Sequence, residues 1–299
     1  MLDVVIIGSG PAGITAAIYA KRANLNVAVV EKEYLGTGQI AESSRVDNYP
    51  GIPGIDGYSL GEKFREHAES LGVEFTEAQV LSLGQKDGIW IIGCDEDITL
   101  ESKAVIYATG CKNRPLGVPG EEKYYGRGLS FCAVCDGAFY KGKRVAVIGG
   151  GDTALDDAMY LSYICEKVYL VHRREFFRGS ASTLEKLKQK ENVEIIVNVR
   201  VEEITGDKKI DGIILDNKTK LNISGLFAAV GMIPQTELLK EFGVLDESNY
   251  VKASEDTKTT VNGLFAAGDV RTKQLRQVVT AAADGANAIY SVMEYLRNI

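Results

Sequence analysis

The chain has 299 residues and a net charge of −7, from 34 Lys and Arg against 41 Asp and Glu. That acidic balance, with no basic stripe, excludes a surface built to neutralise nucleic-acid phosphates. Hydrophobic residues at 45% and charged residues at 25% are the ordinary globular mix. The length suits two compact domains rather than one, and no apolar run of about 18 residues exists to span a membrane.

In chain order, residues 2–7 read as a buried apolar strand. No basic stretch precedes it and glycines follow at once, so it is not read as a secretion signal, and a cytoplasmic location is expected. Gly8-Ser-Gly-Pro-Ala-Gly13 comes next, then a helix through Ala23 and a second strand over 27–30. Residues 62–71 form an amphipathic helical stretch with His67 on its exposed face. Cys132-Ala-Val-Cys135 follows, with Asp136-Gly137 directly after it. Residues 144–148 are a second apolar strand, leading into Gly149-Gly-Gly-Asp-Thr-Ala154, a helix to about Tyr163 and a strand over 168–171.

One unit is therefore written twice. Each copy is strand, glycine turn, helix, the context that turns a weak Gly-x-Gly-x-x-Gly/Ala pattern into a dinucleotide fingerprint. The first glycine permits the tight turn. The second lets the backbone approach a pyrophosphate at the helix start. A second echo supports the duplication: Gly225-Leu-Phe-Ala-Ala-Val-Gly231 and Gly263-Leu-Phe-Ala-Ala-Gly-Asp269 are nearly the same string. Reading each as late in its own unit nests one domain inside the other. The expected architecture is α/β, two nested Rossmann-like domains, over 1–113 with 244–299 and over 114–243.

The residue 23 positions after the first glycine separates the two sites. In the first copy it is Glu31, which accepts hydrogen bonds from ribose hydroxyls and repels a 2′-phosphate, as FAD or NAD requires. In the second it is His172, followed by Arg173, Arg174 and, one turn on, Arg178. That cluster offers cations to the 2′-phosphate of NADP(H). A solvated basic loop is the plainer account of the same residues, but their place at the specificity position favours the nucleotide.

Three readings compete for Cys132 and Cys135. A structural disulfide is disfavoured by an odd count of five cysteines and a reducing compartment. Zinc would need two further soft ligands, and no metal site is expected. A redox dithiol remains, and two dinucleotide sites in one chain favour it, because hydride and disulfide both trade two electrons. Opening the disulfide needs a proton. Only two histidines exist and both lie elsewhere, so Asp136 is the expected general acid/base, a role compatible with a place in an Asp-Gly turn.

These residues resemble the low-molecular-weight thioredoxin reductases. The resemblance covers almost the whole chain, through Gly8-Ser-Gly-Pro-Ala-Gly13, Asn48-Tyr-Pro-Gly51, Ala108-Thr-Gly110, Cys132-Ala-Val-Cys-Asp-Gly137, Gly149-Gly-Gly-Asp-Thr-Ala154, His172-Arg-Arg-Glu-Phe-Phe-Arg178, Gly268-Asp-Val270 and Arg276-Gln-Val-Val-Thr280. It implies an FAD site of Gly8, Ser9, Gly10, Pro11, Ala12, Glu31, Lys32, Gly38, Gln39, Asn48, Thr109 and Gly110. Asp269 would hold the ribityl chain, with Gly268 beside it, and Arg276, Gln277 and Val278 would approach the flavin from a helix start. It implies an NADPH site of Gly149, Gly151, Asp152, Thr153, His172, Arg173, Arg174 and Arg178. It places Cys135 nearer the flavin and gives Cys132 the exchange with thioredoxin or a similar small dithiol protein. It also implies a homodimer. Gly36-Thr-Gly-Gln39 departs from the family's usual paired glycines, and Ala283 stands where a glycine often does.

Other readings keep the chemistry and change its ends: a glutaredoxin-like partner, a different electron donor, or a dithiol oxidase passing electrons to oxygen. Peroxidase reductases of this group carry an N-terminal dithiol domain. This chain opens on its FAD strand, so that variant is not expected. A nucleotide-sensing protein without turnover is disfavoured by the intact cysteine pair. Cys94, Cys111 and Cys165 are expected to be small buried hydrophobes.

Overall fold

The structure, a computed structural model, describes residues 1–33, 37–43 and 45–299. Gly36, noted above for its departure, lies outside them. Two compact units divide the chain, Met1–Lys112 with Ile233–Ile299, and Asn113–Met232. The second crossing therefore falls earlier than the expected 243/244. Residues 233–243 belong to the first unit because they pack there. Leu239 is buried in its core, Phe242 lies 5.6 Å from the Trp90 ring, and Gln235 exchanges hydrogen bonds with Thr109 and Gly110.

The chain begins with β1 (Leu2–Ile7), α1 (Pro11–Arg22), β2 (Val27–Glu31), α2 (Gly57–Ser70), β3 (Glu74–Glu77), β4 (Val80–Lys86), β5 (Ile89–Cys94) and β6 (Thr99–Tyr107). The short β7 (Cys111–Asn113) sits at the first crossing. The second unit follows with β8 (Leu129–Ser130), α3 (Ala133–Asp136), β9 (Arg144–Ile148), α4 (Asp152–Ser162), β10 (Lys167–His172), α5 (Ala181–Lys188), β11 (Val193–Val197), β12 (Val201–Thr205), β13 (Gly212–Leu215), β14 (Lys220–Asn222) and β15 (Gly225–Ala228). After β16 (Met232–Pro234) at the second crossing come β17 (Leu264–Ala266) and α6 (Val278–Leu296).

In the first unit, β3-β2-β1-β6-β17 run parallel, and β5 and β4 continue the sheet antiparallel from the first half of β6. Val4, Val5, Ile6 and Val29 are fully buried because a parallel sheet is covered on both faces. Each such side chain contributes about 1.5–3 kcal/mol. In the second unit, β11-β10-β9-β15-β8 are all parallel, with β12-β13-β14 as a separate antiparallel sheet.

The string echo at 225–231 and 263–269 is not a topological echo. β15 pairs with β9, the strand that leads into its unit's glycine turn, whereas β17 pairs with β6 and lies one strand further out. The true counterpart of β15 is β6, which pairs with β1. The first glycines confirm this. A Cβ on Gly8 would stand 2.6 Å from the Ala108 carbonyl oxygen after β6, and one on Gly149 would stand 2.3 Å from that of Ala229 after β15. Similar strings arose because both strands are short, buried and end at a turn.

Helix α6 lies on α1 through small residues, with Ala281 and Ala288 buried beside Ala12 and Ala16. A Cβ on Gly285 would meet the Ala12 carbonyl oxygen at 2.2 Å and the Ala16 nitrogen at 2.8 Å. Both are backbone atoms and cannot swing aside. Gly285→Ala should therefore force the helices apart and cost about 1–3 kcal/mol, seen as a lowered thermal midpoint.

Candidate functional site

Strand β8 ends at Ser130 and delivers Cys132 to the start of α3, where it is the N-cap. The Cys132 sulfur accepts the Cys135 backbone N–H at 3.1 Å. This is the way a side chain satisfies a free helix-terminal donor. The two cysteines form a disulfide with Cα atoms 5.3 Å apart. Both are half-buried, and their neighbours Val134 and Phe139 are exposed.

Asp136 closes the same turn. Its Oδ2 accepts the Ser130 hydroxyl at 2.6 Å. Burial pushes its carboxyl above the ordinary carboxylate value, and the Ser130 donor works in the opposite direction. A carboxyl shifted in this direction keeps its proton to a higher pH than an exposed aspartate does, the direction a proton donor beside a disulfide requires. The other cysteines, Cys94, Cys111 and Cys165, are free and buried. Burial pushes Cys111 up to about 12 and Cys165 to about 11, so neither is a ready nucleophile. Among the described residues no cluster suits a metal ion.

The second unit's glycine turn leads into α4, whose N-cap Gly151 makes no side-chain cap. Open space surrounds the Cβ position of Gly151, and Asp152 and Thr153 are exposed at the helix start. Free N–H groups with room in front of them form an anion site. The arginine loop is tied to this turn. Arg178 N donates to the Gly150 carbonyl at 2.7 Å and Ser180 N to Asp152 Oδ1 at 2.7 Å. Arg173, Arg174 and Arg178 are exposed and make no ion pair among the described residues.

His172 departs from its expected part in that cluster. It is only 7% exposed, its ring lies 4.9 Å from that of Phe177, and its Nε2 is 3.3 Å from the Phe176 carbonyl oxygen. Burial first holds the imidazole below its ordinary value; the Phe176 carbonyl opposes that, and the three guanidiniums reinforce it. It fills the space over Gly150 instead of standing exposed with the three arginines.

In the first unit, α1 starts in the same way. Gly10 is an N-cap without a side-chain bond, and Pro11 and Ala12 open the helix. Gly8, at φ 103°, makes the turn. Glu31, at the end of β2, accepts the Ser9 N–H and hydroxyl on Oε2, both at 2.9 Å, and Lys32 N on Oε1 at 2.8 Å. Gly38 approaches closely enough that its Cβ would lie 3.2 Å from Gly10 Cα, and Gln39 follows it in a short 3-10 turn. Asn48 Nδ2 donates to Gln277 Oε1 at 2.7 Å. Gln277 is the N-cap of α6, just before Val278. Thr109 and Gly110 follow β6, where Thr109 Oγ1 donates to the Gln235 carbonyl at 2.7 Å.

Asp269 lies in the turn at Gly268–Val270. Its Oδ1 is buried with no hydrogen-bond partner, as is Thr37 Oγ1. Burial raises the Asp269 carboxyl, while Lys273 and Arg276 oppose that. Arg276 packs 4.2 Å over the Tyr250 ring and donates to the Asp269 carbonyl at 3.3 Å. A buried acceptor left over in a native fold calls for an outside donor. The hydroxyl-rich ribityl chain of FAD fits Asp269, and a pyrophosphate fits the α1 start.

Sequence reading missed Ser130, Tyr250 and the cluster Arg271, Lys273 and Asp284. Ser130 and Tyr250 lack any motif spacing of their own. Arg271 and Lys273 belong to no motif spacing, and their side chains are 7% and 6% exposed, each bonded to Asp284.

The family described as pyridine nucleotide-disulphide oxidoreductase matches residues 2–285. A 34.2 kDa protein of the rubredoxin operon of Clostridium pasteurianum is 39% identical, with 99% of this chain and 97% of that protein covered. A thioredoxin reductase of Bacillus subtilis is 38% identical, with 99% of this chain and 95% of that one covered. The crystal structure of a thioredoxin reductase from Streptococcus pyogenes superposes with a TM-score of 0.94 at 40% identity, over 100% of this chain and 99% of that one. With two dinucleotide-type units, a half-buried disulfide and a match over nearly its full length, the chain belongs to the pyridine nucleotide-disulphide oxidoreductase family.

Proposed function

We propose that the chain is an NADPH-dependent thioredoxin-disulfide reductase that carries FAD and works through the Cys132–Cys135 disulfide. The observation that carries this reading is the disulfide itself, half-buried with exposed Val134 and Phe139 close by in the chain and Asp136, its carboxyl raised by burial, in the same turn. Thioredoxin, or a similar small dithiol protein, is the proposed partner, in line with the names of the relatives. The reading includes a homodimer and a cytoplasmic location; no helix among the described residues is long and apolar enough to cross a membrane.

In this reading Arg173, Arg174 and Arg178 hold the 2′-phosphate of NADPH, and Gly149, Gly151, Asp152 and Thr153 hold its pyrophosphate at the α4 start. Gly8 to Ala12, Glu31, Lys32, Gly38, Gln39, Asn48, Thr109, Gly110, Gly268, Asp269, Arg276, Gln277 and Val278 hold the FAD. When bound, FAD supplies the relay that accepts a hydride's two electrons and passes them on to the disulfide. Cys132 exchanges with the partner, and its sulfur has the Cys135 N–H to stabilise a thiolate. Asp136 supplies and recovers the proton.

The test is a steady-state assay with thioredoxin and either nicotinamide cofactor. NADPH is expected to be strongly preferred. Replacing all three arginines by Ala should raise the KM for NADPH at least a hundredfold, since even one charge-assisted contact contributes about 1.5–3 kcal/mol, roughly ten- to a hundredfold. The NADH rate should stay as it was. A wild-type protein that used NADH equally well would overturn the 2′-phosphate assignment.

A further inference from the structure

Ser130 is a buried serine, 6% exposed, fixed at the end of β8 where the strand pairs with Phe227 of β15. Three hydrogen-bonding groups of the redox turn converge on its hydroxyl. Cys132 N donates to Oγ at 3.1 Å. Oγ stands 2.6 Å from Asp136 Oδ2 and 3.3 Å from the Cys132 carbonyl oxygen. A hydroxyl has one hydrogen and two lone pairs. While Asp136 is ionised, the hydrogen goes to Oδ2, the shorter and charge-assisted partner. When Oδ2 carries a proton, the carboxyl donates to Oγ and the hydroxyl hydrogen turns to the Cys132 carbonyl. Both arrangements satisfy every group.

We propose that Ser130 is a positioning residue of the disulfide chemistry: its hydroxyl fixes the Asp136 carboxyl against the Cys132 backbone and redirects its hydrogen as that carboxyl gives up and regains a proton. Opening the Cys132–Cys135 bond takes two electrons, supplied by NADPH in the proposed function, and one proton. The products are one thiol and one thiolate. The proton leaves Asp136, which becomes a carboxylate and is then held by the Ser130 donor. Without that donor the carboxylate is less favoured at a buried site, and the carboxyl loses its tie to the cysteine turn.

This inference rests on the reading of Asp136 as proton donor, so the experiment separates the two. It follows kcat against pH for the FAD-loaded enzyme with NADPH and thioredoxin, where the alkaline limb reports loss of the Asp136 proton. Ser130→Ala should move that limb upward by roughly one pH unit, the loss of one hydrogen bond to a charged group. Ser130→Thr, which keeps the hydroxyl, should hold the limb at the wild-type position. In an Asp136→Asn background, Ser130→Ala should change the rate by less than about twofold. A rate lowered equally at every pH, a Thr profile that copies the Ala one, or a full Ser130→Ala effect on top of Asp136→Asn would each overturn the role of Ser130. Unchanged turnover in Asp136→Asn alone would instead overturn the reading of Asp136 and take the inference with it.

Discussion

Replacing Cys135 by Ser is expected to abolish NADPH-driven disulfide reduction, a loss on the order of a thousandfold or more, while the chain folds and holds its flavin. The fold should survive because the N-cap of α3 uses the backbone N–H of residue 135, not its side chain. The chemistry should not survive because a hydroxyl cannot enter a disulfide and is never a thiolate at neutral pH. No other sulfur can stand in. Cys165 and Cys111 are buried with their thiols pushed up to about 11 and about 12, and Cys94 is raised by burial as well. The decisive measurement is an anaerobic titration. The variant's flavin should bleach after one NADPH fewer per chain than the wild type consumes, because the disulfide no longer takes its two electrons. Sustained thioredoxin reduction by the variant would overturn the mechanism.

What the sequence revealed and what it hid follow from how locally each feature is encoded. The two glycine turns were legible because strand, turn and helix are contiguous, and the offset to Glu31 and His172 follows from the length of one β-α-β step. The cysteine pair and Asp136 were legible for the same reason: one four-residue helix carries them. The second crossing was misplaced because residues 237–242 form a short 3-10 helix whose allegiance depends on Trp90, far away in the chain. The echo at 263–269 misled because a short buried strand looks alike wherever it sits in a parallel sheet. The burial of His172 was not legible, since nothing in His-Arg-Arg says that the ring turns inward over Gly150. Ser130 and Asp284 were invisible because their partners are set by packing rather than spacing. They lie near or among the motif residues without being part of any pattern.

Asp284→Ala should be the most destabilising change in the first unit. The Asp284 carboxylate is 4% exposed and receives four hydrogen bonds. Gly268 N at 2.9 Å, Arg271 Nε at 2.8 Å and Lys273 Nζ at 2.9 Å donate to Oδ2, and Arg271 Nη2 donates to Oδ1 at 2.6 Å. Two buried cations depend on it. Losing it removes the hydrogen-bonded counter-charge of both, which costs about 3–5 kcal/mol and lowers the thermal midpoint on the order of 10 °C. The loss reaches the cofactor, because the Gly268 N–H anchors the turn that presents Asp269. Flavin retained through gel filtration should fall along with stability. The effect has a pH signature. Burial alone would raise the Asp284 carboxyl, but the Arg271 and Lys273 donors prevail and hold it below the ordinary value. A depressed folded value means the stabilisation is complete above the unfolded carboxylate value of about 3.9 and fades as pH falls through the folded one. The gap in midpoint between wild type and variant should therefore be constant from neutral pH down to about 5 and close in stronger acid. A gap that failed to narrow would mean the carboxylate's charge is not what secures the turn, and that its shape alone does.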